Sequence, residues 1–117
     1  MSENIITAVI ICLVALIMIV IGISQLKSKE PVGFYTGEKS PKAKELTDVV
    51  GWNRRHGMMW ILYGVAMIFG FVVAGLAGSE VLALIILLTI VLGGILVMMA
   101  YHHYLKKKYY KKRDNFQ

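Results

Sequence analysis

The side chains of this sequence that could do chemistry are three histidines, His56, His102 and His103, each next to one end of an apolar stretch. Imidazole changes charge near neutral pH and is a common zinc ligand. Three imidazoles brought together could therefore bind a metal ion or respond to pH. Metal binding is the weaker hypothesis, because no thiolate or carboxylate is placed to complete a site. We predict no metal site and no cofactor, and favour a polar cluster that stabilises the fold or binds a partner.

Arginines and tryptophans surround the first of these histidines in the stretch GWNRRHGMMW, residues 51–60. Arg54 and Arg55 come just before a long uncharged run. Arginine at such a place is typical of the end of a membrane helix, where its stem lies along apolar surface and its guanidinium stays in water. Trp52 and Trp60 are typical of the aromatic belt at headgroup depth. The composition of the stretch therefore has a structural explanation that requires no chemistry.

Three uncharged runs must position these residues, and they span about 5–26, 57–78 and 81–105. Each is long enough to cross a hydrocarbon core of about 30 Å, which takes about 20 helical residues. The chain has 117 residues, of which 57% are hydrophobic and 17% charged. A soluble domain of this size could not bury so much apolar surface. We predict one all-α integral membrane domain, residues 1–117, with three transmembrane helices.

The basic residues set the expected orientation. All 13 lysines and arginines lie in the loop 27–56 or in the tail 106–117. The positive-inside rule places such segments in the cytoplasm. We predict a bacterial cytoplasmic membrane protein with its N-terminus outside and its C-terminus inside. Each basic residue of the tail would gain about 1 kcal/mol from anionic headgroups, so the expected partner of the tail is lipid and no nucleic acid is expected.

A very short link, 78–80, joins the second and third runs and predicts an antiparallel hairpin. Residues equally distant from the link then face each other. Small residues repeat every four positions on the second helix and twice on the third, a pattern that lets membrane helices approach closely. The residues predicted to pack together are Ala66, Gly70, Ala74 and Gly78 on one helix and Thr89 and Gly93 on the other. The second helix is the least lipophilic, so we expect it in the middle of the bundle.

The loop 27–56 contains the signals for a further helix. Ser40 followed by Pro41 fits a helix N-cap with proline at the first helical position. This pattern predicts a short amphipathic cytoplasmic helix that lies on the membrane surface and leads into the second span. Thr47 and Asp48 form a competing cap, so the helix could instead begin at Asp48.

The hairpin also brings the histidines together. His56 lies at about the level of residue 103, so it could approach His102 or His103, close to Trp52 and Asn53. The three apolar runs contain no Asp, Glu, Lys or Arg, and a proton-coupled transporter usually needs such a group at depth. No nucleophile triad, metalloprotease or phosphate-loop motif is present either. Because these catalytic motifs are absent, we predict that the chain is not an enzyme.

The segment VGFYTGEKSPKAKELTDVVGWNRRHG, residues 32–57, resembles the SdpI-type family of bacterial membrane immunity proteins and related small three-span proteins of Gram-positive bacteria. That family has a G-x-R-T motif on a cytoplasmic loop, and then a Trp with a His four residues later where a membrane helix begins. The matching positions here are Gly33, Thr36, Trp52 and His56. Tyr35 occupies the position of the family's arginine, and the spacing between the two motifs is longer.

The resemblance implies a non-enzymatic membrane protein that works by protein–protein contact, through immunity to a membrane-active toxin or assistance to a signalling partner. The residues predicted to bind the partner are Tyr35, Trp52, Asn53, Arg55, His56 and His103. The alternative is a subunit of an oligomeric transporter or channel, because three helices cannot enclose a pore alone. An enzyme of lipid metabolism that uses His56 and His103 is a third possibility.

Overall fold

A computed structural model describes residues 2–34 and 39–111 of the chain, and this part is helical throughout except for its turns and loop. Its helices are α1 (Ser2–Lys27), α2 (Val49–Gly75) and α3 (Glu80–Tyr109), with a 3-10 turn at Ala43–Glu45. The three α-helices are each long and apolar enough to cross a membrane. The predicted all-α fold class is confirmed, and the chain is a multi-pass membrane protein.

Helix α2 lies between α1 and α3 and packs against both of them. Ten of its residues are buried, compared with four of α3. Most large apolar side chains of α1 and α3 are exposed along the whole length of the described helices. In a membrane these side chains face lipid, which solvates them as well as a protein core would. The expected central position of the second helix is confirmed.

Helices α1 and α2 approach each other through small residues at two levels. A Cβ atom added at Gly22 would lie 2.5 Å from the carbonyl oxygen of Gly57, and one added at Gly57 would lie 2.6 Å from the carbonyl oxygen of Gly22. Two turns away, a Cβ atom at Gly64 would lie 2.8 Å from the carbonyl oxygen of Ala15. The two backbones therefore touch, as small residues allow in membrane helices. The sequence analysis did not identify this contact.

The predicted hairpin of α2 and α3 is confirmed, and its turn has a clear local cause. Gly78 has a φ of 77°, a conformation that costs glycine little because it has no Cβ atom. The hydroxyl of Ser79 then accepts a hydrogen bond from the backbone N–H of Leu82 at 3.3 Å and caps α3. Gly78 therefore shapes the turn and does not serve as the packing residue that was predicted.

The predicted contact between two stripes of small residues is wrong for α3. Thr89 is exposed, and a Cβ atom at Gly93 would meet nothing within 4 Å. Large side chains enter the gaps instead, because Ile90 packs on Gly70 and the ring of Tyr63 packs on Gly94. A helix turns about 100° per residue, so an error of one residue in register points a side chain away from its neighbour. The remaining predicted residues are Ala66, which is half-buried, and Ala74, which is buried.

The segment before α2 differs from the amphipathic helix expected to begin at Pro41. It forms only the 3-10 turn, and α2 begins at Val49, which confirms the alternative start. The carboxylate of Asp48 caps α2 by accepting a hydrogen bond from the N–H of Gly51 at 2.9 Å. Leu46 has an extended backbone and forms an isolated antiparallel bridge with Tyr110. This pairing with the end of α3 interrupts the helix that the sequence would otherwise form.

Helix α3 continues as an α-helix to Tyr109, past the end of the uncharged run. Of the basic tail, residues 112–117 lie outside the described residues. The contact of the tail with anionic headgroups stays a prediction.

A single methyl group tests the contact between α1 and α2. We expect Gly22→Ala to lower the free energy of unfolding in detergent micelles by about 1–3 kcal/mol, because one of the two nearest obstacles, the carbonyl oxygen of Gly57, is a backbone atom that cannot give way. Gly93→Ala is the matched control and should leave the free energy almost unchanged, since its Cβ atom would enter open space. Equal effects of the two substitutions would show that α1 does not pack on α2 at Gly22.

Candidate functional site

The most concentrated polar chemistry of the described residues is a pair of histidines that joins α2 to α3. The Nε2 atom of His56 lies 2.8 Å from the Nδ1 atom of His102. His56 is 0% exposed and His102 is 7% exposed. His103, in contrast, is exposed. Of the two histidines that could approach His56, the structure brings His102 to it and not His103, because the next residue of a helix points about 100° away. The role of His103 in binding a partner stays a prediction.

The hydrogen atoms of the pair follow from its neighbours. The Nδ1 atom of His56 lies 2.9 Å from the carbonyl oxygen of Trp52. A carbonyl oxygen only accepts, so Nδ1 of His56 carries a hydrogen. In neutral His56 the Nε2 atom is then an acceptor, and His102 donates to it through Nδ1–H. At 2.8 Å the two nitrogens contact each other directly, which leaves no space for a metal ion between them.

Trp52 forms the wall of the site. It is 0% exposed, and its ring centroid lies 4.2 Å from that of His56 and 5.6 Å from that of Tyr110. Its indole N–H donates to the carbonyl oxygen of Val32 at 2.8 Å. A side chain so enclosed is neither part of an aromatic belt nor available to a partner. Both predictions for Trp52 are wrong, because the chain that follows α1 covers it.

Asn53 binds the segment that covers Trp52, residues 28–34, to α2 through hydrogen bonds. Its Nδ2 group donates to the carbonyl oxygens of Ser28 at 3.1 Å and Glu30 at 2.9 Å, and its Oδ1 atom accepts from the N–H of Val32 at 3.1 Å. The side chain is 2% exposed. These bonds satisfy backbone groups that an irregular segment cannot pair by itself. Asn53 is therefore a structural residue, and the prediction that it binds a partner directly is wrong.

The covering segment ends on the histidine pair. The ring of Phe34 stacks on that of His102, with centroids 4.7 Å apart and planes inclined by 28°. Phe34 also contacts Trp60, with centroids 5.8 Å apart. The histidines are thus closed in by protein on the side of the loop. His56 was predicted to lie on a contact surface, and its burial contradicts that prediction.

The other part of the loop is fastened to the end of α3. The N–H of Thr47 donates to the carbonyl oxygen of Tyr109, and the N–H of Lys111 donates to that of Glu45, both at 2.8 Å. Between these bonds Leu46 is buried against Leu105. We call residues 28–34 and 43–47 together the anchored loop. Both of its parts are held by α2 or α3.

The remaining predicted contact residues have different surroundings. Arg55 is exposed and lies beside the phenol groups of Tyr101 and Tyr109. It also lines, with Arg54, the end of a groove of about 640 Å³ between α2 and α3. Tyr35 lies outside the described residues. The sequence analysis did not identify the groove. It also did not identify the aromatic contacts of Trp52, which the two adjacent tyrosines after Lys108 could have indicated.

Within residues 2–34 and 39–111, no group of three or more His, Cys, Asp or Glu side chains could hold a metal ion. The buried pair is suited to holding elements together, because both imidazoles contact each other and the protein around them.

Comparison of the chain with protein-family models, with curated proteins and with solved structures gave no match. The resemblance to the SdpI-type family stays a prediction, and any function must be argued from the geometry of the site.

Loss of the Asn53 amide tests how the loop is held. We expect Asn53→Leu to lower the free energy of unfolding by about 1–3 kcal/mol, because it removes the partner of three part-buried backbone groups. Hydrogen exchange at the N–H of Val32 should become faster. Val50→Ala, at an exposed position of the same helix end, is the control and should change neither quantity. Unaltered exchange at Val32 in Asn53→Leu would contradict the account.

Proposed function

We propose that this chain is a non-enzymatic bacterial membrane protein that works by contact with another protein, with immunity to a membrane-active toxin as the sharpest form and a signalling accessory as the broader one. The observation that carries the proposal is the anchored loop. Side chains and backbone groups of α2 and α3 fix it in place from both sides. An ordered polar loop at one end of a small bundle is a suitable surface for a specific partner, because little conformational entropy is lost when it binds.

The distribution of chemistry supports contact more than catalysis. The imidazoles of His56 and His102 are buried and hydrogen-bonded inside the protein. A substrate would reach them only after Phe34 and its segment moved away. Most side chains exposed by the loop and by Lys42 just before it are polar or basic, among them Lys44 and Thr47, and Glu30 is the exposed acidic one. Such side chains suit recognition of an acidic or polar surface.

The orientation is part of the proposal. We place the anchored loop in the cytoplasm because all basic residues of the part that the structure describes lie at its end of the bundle. With Cys12 replaced by Ala, a membrane-impermeant thiol reagent should label Lys39→Cys only after cells are permeabilised. The same reagent should label Glu80→Cys, in the turn at the opposite end, in intact cells. Labelling of Lys39→Cys in intact cells would overturn the orientation.

An exposed stripe on α2 favours a second candidate, a subunit of an oligomeric transporter or channel. Its residues alternate in spacings of three and four, as in a helix that packs on another helix. They are Leu62, Val65, Phe69 and Val72, followed by Leu76 directly after the end of α2. A protein that runs as a monomer in mild detergent and gives no flux in liposomes would exclude the homo-oligomeric version.

Toxin challenge tests the first candidate. Cells without the gene should survive a membrane-active toxin from the same genome less well than the parent strain, and the wild-type chain should restore survival. The double variant Lys42→Glu/Lys44→Glu should not restore it, because it reverses the charge of the exposed loop without touching buried contacts. Lys107→Glu/Lys108→Glu reverses two charges at the end of α3 and should restore survival. Survival of the deletion strain at the level of the parent would dismiss immunity.

A further inference from the structure

The groove between α2 and α3 combines an apolar interior with a cationic end. Its walls include Met58, Leu62, Val97 and Met98, and one end is lined by Arg54, Arg55 and Tyr101. Its volume of about 640 Å³ lies within the range of ligand sites, roughly 300–1,000 Å³. This combination matches an amphiphile with a negatively charged head. We propose that the groove binds one anionic phospholipid, with its phosphate at the two arginines and an acyl chain along the apolar walls.

The length of the groove agrees with one leaflet. From Arg55 to Ala66, its last residue on α2, the helix rises by about 16 Å. Half of a hydrocarbon core of about 30 Å is about 15 Å. A transmembrane helix of a partner would need a surface that continues across both leaflets. The groove therefore fits the acyl chain of a lipid from the leaflet next to the arginines.

Close contacts of α2 and α3 first narrow the groove and then close it at mid-membrane. The ring of Tyr63 packs on Gly94, and its hydroxyl donates to the carbonyl oxygen of Val91 at 2.9 Å. One to two turns further on, Ile90 fills the space beside Gly70. On the arginine side of these contacts the helices separate, so the groove is open where a lipid headgroup would lie and closed where the chain would end.

The charges select the headgroup. Arginine binds phosphate with two parallel hydrogen bonds, and both guanidinium groups are exposed at the groove. No carboxylate of the described residues lines the groove. A zwitterionic lipid would therefore find a partner for its phosphate but none for its ammonium group. A lipid with net negative charge is therefore favoured. The groove is a surface separate from the anchored loop.

Native mass spectrometry of the purified full-length protein tests the proposal. The protein is mixed with equal amounts of dioleoyl phosphatidylglycerol and dioleoyl phosphatidylcholine, which share their acyl chains. We expect the wild type to retain one molecule of the anionic lipid in preference. Arg54→Gln/Arg55→Gln should weaken its binding about 30-fold, the attraction that two basic residues provide at an anionic surface. Lys107→Gln/Lys108→Gln removes the same charge outside the groove and should keep most of the binding.

A second variant separates the groove from its charges. Ala66→Phe should fill the inner end and weaken binding of the anionic lipid while both arginines remain. Equal retention of the two lipids by the wild type would overturn the proposal, as would equal losses in the arginine and lysine variants. A stoichiometric protein chain retained in place of lipid would assign the groove to a partner helix and would also overturn it.

Discussion

The direct contact of His56 with His102 is the constraint on which the rest of the structure depends. It lies where α2, α3 and the anchored loop meet, and its 2.8 Å separation fixes the level of one helix against the other. Buried polar groups are costly unless they are fully paired. The two imidazoles bond to each other, and the Trp52 indole and the Asn53 amide bond to the backbone of the loop. This end of the bundle is therefore ordered by hydrogen bonds, in a protein whose helices expose mostly apolar side chains along the rest of their length.

The two helix interfaces of α2 differ in kind, and the difference shapes the surface of the protein. Against α1 the backbones touch at Gly22 and Gly57, so nothing can enter between them. Against α3 the contact depends on the ring of Tyr63 and the side chain of Ile90, which hold the helices further apart. Between Tyr63 and the arginines the two helices are separated by the groove, which has Arg54 and Arg55 at its end. Glycines at the contact with α1 allow tight packing, and large side chains at the contact with α3 leave an opening.

Hydropathy and charge were sufficient to predict three spans and the hairpin, because lipid imposes the same length on every helix. The hairpin also predicted the level at which His56 meets α3. The choice between His102 and His103 depends on the rotation of α3 about its own axis, which the sequence does not give. Trp52 and Asn53 could not be assigned from the sequence. Their partners are backbone atoms of an irregular segment 20 or more positions away, and such a segment has no periodicity that reveals its path.

The central claim is that the two imidazoles act as one unit, and a double-mutant cycle in detergent micelles measures this most directly. His56→Ala, His102→Ala and the double variant are unfolded under the same conditions. The account predicts a coupling energy of about 0.5–3 kcal/mol, with the second substitution costing much less once the first is made. Losses that add within about 0.3–0.5 kcal/mol would show that the residues are independent, and would contradict the arrangement from which the loop and its proposed role follow.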